Sequence, residues 1–327
     1  MTITSRTDAP ISHATQPSDT PNNTPNNNAS DTATNTAVTP TIEFAGATVP
    51  RIGLGCMALS IEGHPRRSTA IGVIHAALDA GVRYLDTAWS YYTPGESDDC
   101  EEYGERLVAE ALCTWDGPRD EVVVATKTGY RRTLTDGEYG WEACSDPDTM
   151  VRNAKESCVA LGVDHLDLLY SHCPDPAVPY EDEMGALRRL LDEGVIAHAG
   201  ISRASVEQID IARQILGDGL AAVQNKFNPA YRDEEDTLRH CEALGIPFVA
   251  WSPLGGYLEQ VSMTRFVPFR QVAADLGVSY QRVTLAWELA QSPVFMAIPS
   301  AQNTMELADD VQALDLRLTD EDLAQLG

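Results

Sequence analysis

The chain has 327 residues, 49 of them acids against 23 bases, for a formal net charge of −26. A surface this acidic repels nucleic acid and anionic lipid. Seven cysteines without a C-x-x-C pair argue against a zinc site or a disulfide framework and predict no metal and reduced thiols in a cytoplasm. No apolar run of about 18 residues is available to span a membrane, and no apolar segment follows Arg6 as a secretory signal requires.

Residues 1–40 are rich in Thr, Asn and Pro, as in "TPNNTPNNNASDTATNTAVTP". They lack the large apolar side chains whose burial would offset ordering entropy, so they predict a disordered tail. The folded domain is expected over 41–327. It begins with "TIEFAG" and "ATVPRIGLG", two short strands around a Gly-containing turn.

An alternation follows. "IGLGCMAL" predicts the first barrel strand, then a helix over 67–80. "VRYLDTA" predicts the second, then a helix over 102–113. "EVVVATK" is the third, then a helix over 147–162. "LDLLYSH" is the fourth, with "EDEMGALRRLLDEG" helical. "IAHAGIS" and "SVEQIDIARQIL" form the fifth pair, "LAAVQNKF" and "EEDTLRHCEALG" the sixth. "IPFVAWSP" is the seventh strand, with "FRQVAADLG" and "SYQRVTLAWELAQ" helical, and "PVFMAIPS" is the eighth. Gly81, Gly162, Gly194, Gly245 and Gly277 stand where helices end in left-handed geometry. Repeated βα units imply a parallel sheet with right-handed crossovers. Eight of them predict an α/β protein, a (β/α)8 TIM barrel with an N-terminal hairpin and extra C-terminal helices. Two long loops, 89–101 and 128–146, are expected to shape access to the catalytic face.

Asp86, Tyr91, Lys127 and His172 sit at or just past the ends of three of these strands, where barrels of this class build their active sites. A phenol is a poor acid at neutral pH, with an ordinary pKa of about 10. A neighbouring ammonium lowers that value, Asp86 can hold the ammonium, and His172 can hydrogen-bond a polar atom beside the phenol. Each residue alone is more often structural; their joint placement points to a proton donor facing a cavity. There is no P-loop and no full G-x-G-x-x-G. "AWSPLGG", containing Ser252, and "AIPSAQN", leading into a helix near Thr304, occupy the two loops where barrels often hold a phosphate. Trp251 offers a flat face for a heteroaromatic ring.

These motifs together resemble the aldo-keto reductase superfamily. "GVRYLDTAWSYY" is similar to the family's strand-two signature, "VVVATKTGY" to its lysine strand and "LDLLYSHCPDP" to its histidine strand. "AGIS", "VQNKFN", "AWSPLGG" and "AIPSAQNTMELADDVQALDLRLTDEDL" are similar to its cofactor-binding segments, and the resemblance covers essentially 41–327. It implies an NAD(P)H-dependent oxidoreductase acting between a carbonyl and an alcohol on a small aldehyde, ketone or sugar. Tyr91 would be the general acid, assisted by Lys127, Asp86 and His172. Ser202, Arg203 and Gln224 would meet the nicotinamide carboxamide, with Trp251 stacked on the ring. Ser252, Pro253, Leu254 and Gly255 would wrap the pyrophosphate, and Ser300, Ala301, Gln302, Glu306, Asp309 and Asp310 would meet the adenosine end. Trp89, Tyr92 and the 128–146 loop, with Tyr139 and Trp141, are expected to line the substrate pocket. The alternative is a nicotinamide-binding regulatory subunit on the same fold.

Four departures from the family pattern matter. Arg203 stands where Asn is usual, and a guanidinium only donates. Tyr92 replaces a Gly, although spacing from Asp86 favours Tyr91 as the acid. Glu306 stands where a basic residue often reaches the 2′-phosphate of NADP, and Asp309-Asp310 replaces Glu-Asn. Carboxylates there predict NAD preference or dual use, because NADP's extra phosphate is usually met by Arg or Lys. Arg131 and Arg132 are a remote basic pair without an assigned place. Monomer and homo-oligomer both remain open.

Overall fold

The computed structural model describes residues 40–96, 101–256 and 263–327. The tail expected over 1–40 lies outside the described residues except for Pro40, as does the end of the 89–101 loop. Strands β1 (Thr41–Phe44) and β2 (Ala47–Pro50) form an antiparallel hairpin. Ala45 and Gly46, with φ of 47° and 81°, make the positive-φ turn that matches strand twist.

Eight parallel strands make the barrel: β3 (Leu54–Gly55), β4 (Tyr84–Asp86), β5 (Val123–Thr128), β8 (Leu166–Ser171), β9 (Ile196–Ser202), β10 (Leu220–Lys226), β11 (Phe248–Trp251) and β12 (Phe295–Ala297). They neighbour one another in chain order, β3 at one edge and β12 at the other. The edges meet: Ile52 bridges to Ala297 in parallel, Gly53 N donates to Ala297 O at 2.9 Å, and Gly55 N donates to Pro299 O at 2.9 Å. That contact leaves the barrel without an open edge. The buried Arg51 guanidinium fastens the closure, donating to Phe295 O at 2.7 Å and Leu289 O at 2.8 Å.

Helices fill the crossovers: α1 (Arg67–Asp79), α2 (Tyr103–Thr114), α3 (Pro147–Leu161), α4 (Tyr180–Asp192), α5 (Val206–Leu216), α6 (Glu235–Leu244), α7 (Val267–Leu276) and α8 (Tyr280–Gln291). The boundaries follow local chemistry. Asp146 caps α3 by accepting from Thr149 N, with Pro147 in the first turn, and Gly162 ends it at φ 69°. Ser205 and Gln208 form a capping box on α5. After the barrel come α9 (Thr304–Val311) and α10 (Asp320–Leu326). No helix among the described residues is long and apolar enough to cross a membrane.

The strands are apolar on both faces, as a covered parallel sheet requires. Outward residues such as Leu169, Ile201 and Val223 pack under the helices, while Tyr84, Val123, Leu168, Tyr170, Ala222 and Met296 fill the barrel. The β1–β2 hairpin belongs to that inner cluster through Phe44 and Val49, with Phe44 4.6 Å from the Tyr84 ring.

Two expectations need correction. The first barrel strand is shorter than "IGLGCMAL": regular pairing stops at Gly55, and Met57–Leu59 form a single helical turn. The 128–146 segment is no open loop but a second hairpin, β6 (Tyr130–Thr135) and β7 (Glu138–Ala143), in antiparallel register. Its turn is Asp136-Gly137, both at positive φ. That Asp-Gly between alternating segments was a legible hairpin signal.

Gly200 in β9 faces Tyr170 of β8, and a Cβ there would lie 2.4 Å from the Tyr170 ring. Gly200→Ala is therefore expected to destabilise the barrel by about 1–3 kcal/mol through overpacking, measured by urea unfolding. Unchanged stability would show that the inner tyrosine layer gives way freely.

Candidate active site

Lys127 and Asp86 form an ion pair at the C-terminal end of the barrel, with side chains 1% and 2% exposed. Adjacent strands bring them together: β4 delivers Asp86, and β5, beside it, delivers Lys127. Two charges this dry are retained only when their remaining hydrogen-bond capacity is met. Here it is. The other Asp86 oxygen accepts from Gln224 Nε2 at 2.7 Å and Tyr84 OH at 2.8 Å. Lys127 Nζ also donates to Thr87 O at 2.8 Å and to the Tyr91 hydroxyl at 3.3 Å. Leaving either charge without its partner would cost about 3–5 kcal/mol.

Burial works against the Lys127 ammonium, but Asp86 and then Tyr91 outweigh it, and its pKa stands above the ordinary value. For Tyr91 the balance differs from the sequence expectation. Burial pushes the phenol up, Lys127 pulls it down, and the net direction is up. The expected lowering is thus overturned by desolvation: a phenolate would be stranded in a dry wall. Tyr91 therefore keeps its proton at neutral pH, and its side chain lines the cleft.

His172 follows β8 and is also buried. Burial first, then the cations Lys127 and Arg203, hold its imidazole well below the ordinary range. It is neutral at physiological pH, with Nδ1 buried and unpartnered among the described residues. Its ring lies edge-on to Tyr91, centroids 5.8 Å apart at 76°.

These residues open on a cleft of about 540 Å³, within the usual range for a small-molecule site of about 300–1,000 Å³. Asp86, Tyr91 and His172 line its floor, with Lys127 directly behind. Ser202, Arg203, Gln224 and Trp251 line one wall, and Ser252, Pro253 and Leu254 continue it. Ser300, Gln302 and Glu306 complete that side, and Trp141 faces it.

Six expected residues lie elsewhere. Trp89 turns away from the cleft and donates from Nε1 to Glu156 at 3.1 Å. Tyr92 packs in the cluster around Leu54 and Leu107, and its hydroxyl reaches Arg132 O at 3.5 Å. Consecutive residues of this turn point in opposite directions, so only Tyr91 enters the cleft. Gly255 does not line it, and Ala301 is core beside Leu307. Asp309 is held by Arg282, Nε to Oδ1 at 3.2 Å, and by the Ser279 hydroxyl. Asp310 is buried, and its carboxyl is pushed up to about 8 by burial, then by Asp309 and Glu306. Only Glu306 of the three acids faces the cleft. Its carboxylate accepts from Gln302 N at 2.9 Å.

The β6–β7 hairpin supplies what the sequence left unplaced. Tyr130 stacks on Trp141 at 5.3 Å and 8°. The buried Arg132 lies 4.3 Å over Trp141 and pairs with Glu62. Arg131 points outward to Glu142. Met57 and Ile61, from the segment after β3, complete the apolar side. Tyr130 falls within the 128–146 segment expected at the pocket, whereas Met57, Ile61 and Glu62, from the segment after β3, were missed.

The family model described as "Aldo/keto reductase family" matches residues 51–327. The chain belongs to the aldo/keto reductase family. Oxidoreductase activity comes with that membership. An uncharacterized oxidoreductase of Schizosaccharomyces pombe is 31% identical over 291 residues, covering 88% of each chain. Pyridoxine 4-dehydrogenase of Escherichia coli is 30% identical over 298 residues, covering 88% of this chain and 96% of the relative. The solved aldo/keto reductase of Klebsiella pneumoniae, in complex with NADP and acetate, is 27% identical with a TM-score of 0.72, over 88% of this chain and 94% of that one.

The buried Asp310 gives a pH prediction. A carboxyl whose pKa is raised in the fold binds its proton more tightly there than in the unfolded chain. The resulting penalty is absent below the ordinary value of 3.8 and grows until pH passes about 8. Asp310→Asn is therefore expected to raise the melting temperature at pH 8 and leave it unchanged at pH 3.5, by differential scanning calorimetry. An equal shift at both pH values would show that packing, not charge, is altered.

Proposed function

We propose that this protein is a nicotinamide-dependent oxidoreductase that interconverts a small carbonyl compound and its alcohol, with Tyr91 as the proton donor. The observation that carries this is the Tyr91 hydroxyl, 3.3 Å from a fully buried, Asp86-paired Lys127 at the floor of the cleft. A bound nicotinamide supplies or accepts the hydride. The protein residues do the rest. Tyr91 gives its phenolic proton to the carbonyl oxygen as negative charge develops there. The ammonium 3.3 Å away stabilises the oxyanion left on the phenol, offsetting the burial that otherwise holds the proton in place. The neutral His172 adds no positive charge and can hydrogen-bond the same substrate oxygen. Dry walls strengthen all of these interactions.

The cleft fits the cofactor. Trp251 presents a ring beside Ser202 and Gln224, and its buried Nε1 is unpartnered among the described residues. Ser252 at φ 54°, Gly255 at 110° and Gly256 at 92° bend the chain after β11 into the kind of turn whose amides bind phosphate. The Klebsiella relative's NADP supports the same cofactor class here. On the adenosine side, Glu306 takes the Gln302 amide and the Asn303 side chain takes the amides of Met305 and Glu306. Three donors that could have met a 2′-phosphate are already used, and Glu306 adds negative charge. NAD, or use of both cofactors, follows from that end of the cleft. Against the aromatic hairpin wall a flat ring alcohol or aldehyde is well placed, in line with the pyridoxine named for the Escherichia coli relative.

Oxidation of NADH and NADPH with an aldehyde and ketone panel, and the reverse reaction with alcohols, tests this. Tyr91→Phe is expected to lower turnover by about 10²–10⁴-fold while cofactor affinity stays within about threefold, since only a proton donor is removed. Cofactor binding without turnover in either direction would instead fit a nicotinamide-binding regulatory subunit. Glu306→Lys is expected to move the ratio of NADPH to NADH affinity about tenfold or more toward NADPH. An unmoved ratio would remove Glu306 from cofactor choice.

A further inference from the structure

We infer that Arg203 biases the site toward the reduced cofactor, by placing a permanent positive charge where only the oxidised nicotinamide is also positive. The inference rests on the proposed stacking of a nicotinamide at Trp251. Arg203 follows β9 at the cleft wall, its guanidinium 4.8 Å over Trp251 and 5.5 Å over Tyr130. It is one rung of a row of cations and rings along the cleft. Arg132 lies on Trp141, Trp141 stacks on Tyr130, Arg203 lies between Tyr130 and Trp251, and Lys226 stands 5.4 Å from Trp251. The ring proposed to receive the nicotinamide is therefore already in contact with a cation.

The charges in this row are not equivalent. Lys127 beneath it is balanced by Asp86, and Arg132 by Glu62. Arg203 has no carboxylate partner among the described residues; its guanidinium contacts are aromatic faces. A guanidinium does not deprotonate in a protein, so the charge is present at every working pH. The backbone adds an independent sign. Arg203 sits at φ 57°, a left-handed conformation that a residue with a Cβ adopts at a cost and Asn tolerates better. Strain of this kind persists at functional positions when the surroundings hold it, and here Arg203 N donates to Gln224 O at 3.1 Å.

The oxidised nicotinamide ring carries one more positive charge than the reduced ring. It is thus repelled by Arg203 and must share the aromatic face with it; the neutral reduced ring only has to stack. A like charge brought to the same partly solvated wall, discounted for the exposure of Arg203, gives a selectivity of roughly three- to tenfold. The overall reaction equilibrium is untouched. What shifts is the balance between the two bound forms and the release of oxidised cofactor after reduction.

The test is calorimetric titration of NAD+, NADH, NADP+ and NADPH into the full chain and into Arg203→Gln and Arg203→Lys. The readout is the dissociation constant of the oxidised form divided by that of the reduced form. Arg203→Gln is expected to lower this ratio about three- to tenfold, and Arg203→Lys to keep it. Raising salt to about 0.5 M should shrink the difference between the native protein and Arg203→Gln. A structural role alone would change both forms by one factor, and that result, or an unmoved ratio, overturns the inference while leaving the nicotinamide reading intact. Failure of the native protein to bind any of the four would overturn both.

Discussion

A lysine and an aspartate taken wholly out of water set the terms for the rest of this molecule. The Lys127–Asp86 pair cannot be left partly satisfied, so β4, β5 and β10 must meet with Gln224 and Tyr84 in reach of the aspartate and Thr87 and Tyr91 in reach of the lysine. Those demands fix the strand register around the pair. They also fix what lies beneath it, because Tyr84 anchors the aspartate and packs with Tyr170 and the hairpin residue Phe44. The inner core and the cleft floor are one continuous arrangement.

Electrostatics in the cleft follow from how dry each group is more than from the signs of its neighbours. Burial dominates at Tyr91 and His172, keeping the phenol protonated and the imidazole neutral. Lys127 is the exception, because its counter-charge is in direct contact. The acids on the cleft floor and hairpin side, Asp86 and Glu62, are matched by Lys127 and Arg132, while the wall facing the proposed nicotinamide position carries the Arg203 guanidinium among aromatic rings. Acids gather instead at α9, where one is paired, one is buried and Glu306 alone meets the cleft.

Much of the site was legible because of where barrel strands end. Asp86, Tyr91, Lys127 and His172 close apolar runs, and a parallel barrel brings the ends of neighbouring strands to one rim. Trp251 follows from the same rule, whereas Ser202 and Gln224 were implied by the family resemblance. Trp89 and Tyr92 did not, because past a strand end the chain turns and side-chain direction depends on what the turn packs against. Asp309 and Asp310 look alike in sequence as acids near a phosphate. Their positions on α9 send one to Arg282 and the other into the core, a distinction made by which face of the helix the barrel covers.

The amino-acid sequence by itself determined the order of strands and helices, the family and the residue types at the strand ends. All of these rest on local periodicity, caps and short motifs. Only the tertiary structure decided the protonation of Tyr91, the row of cations and rings through Arg203, and which of the three acids on α9 lines the cleft. The reason is physical: desolvation and ring stacking depend on distances between segments tens of residues apart, and no local pattern encodes those distances.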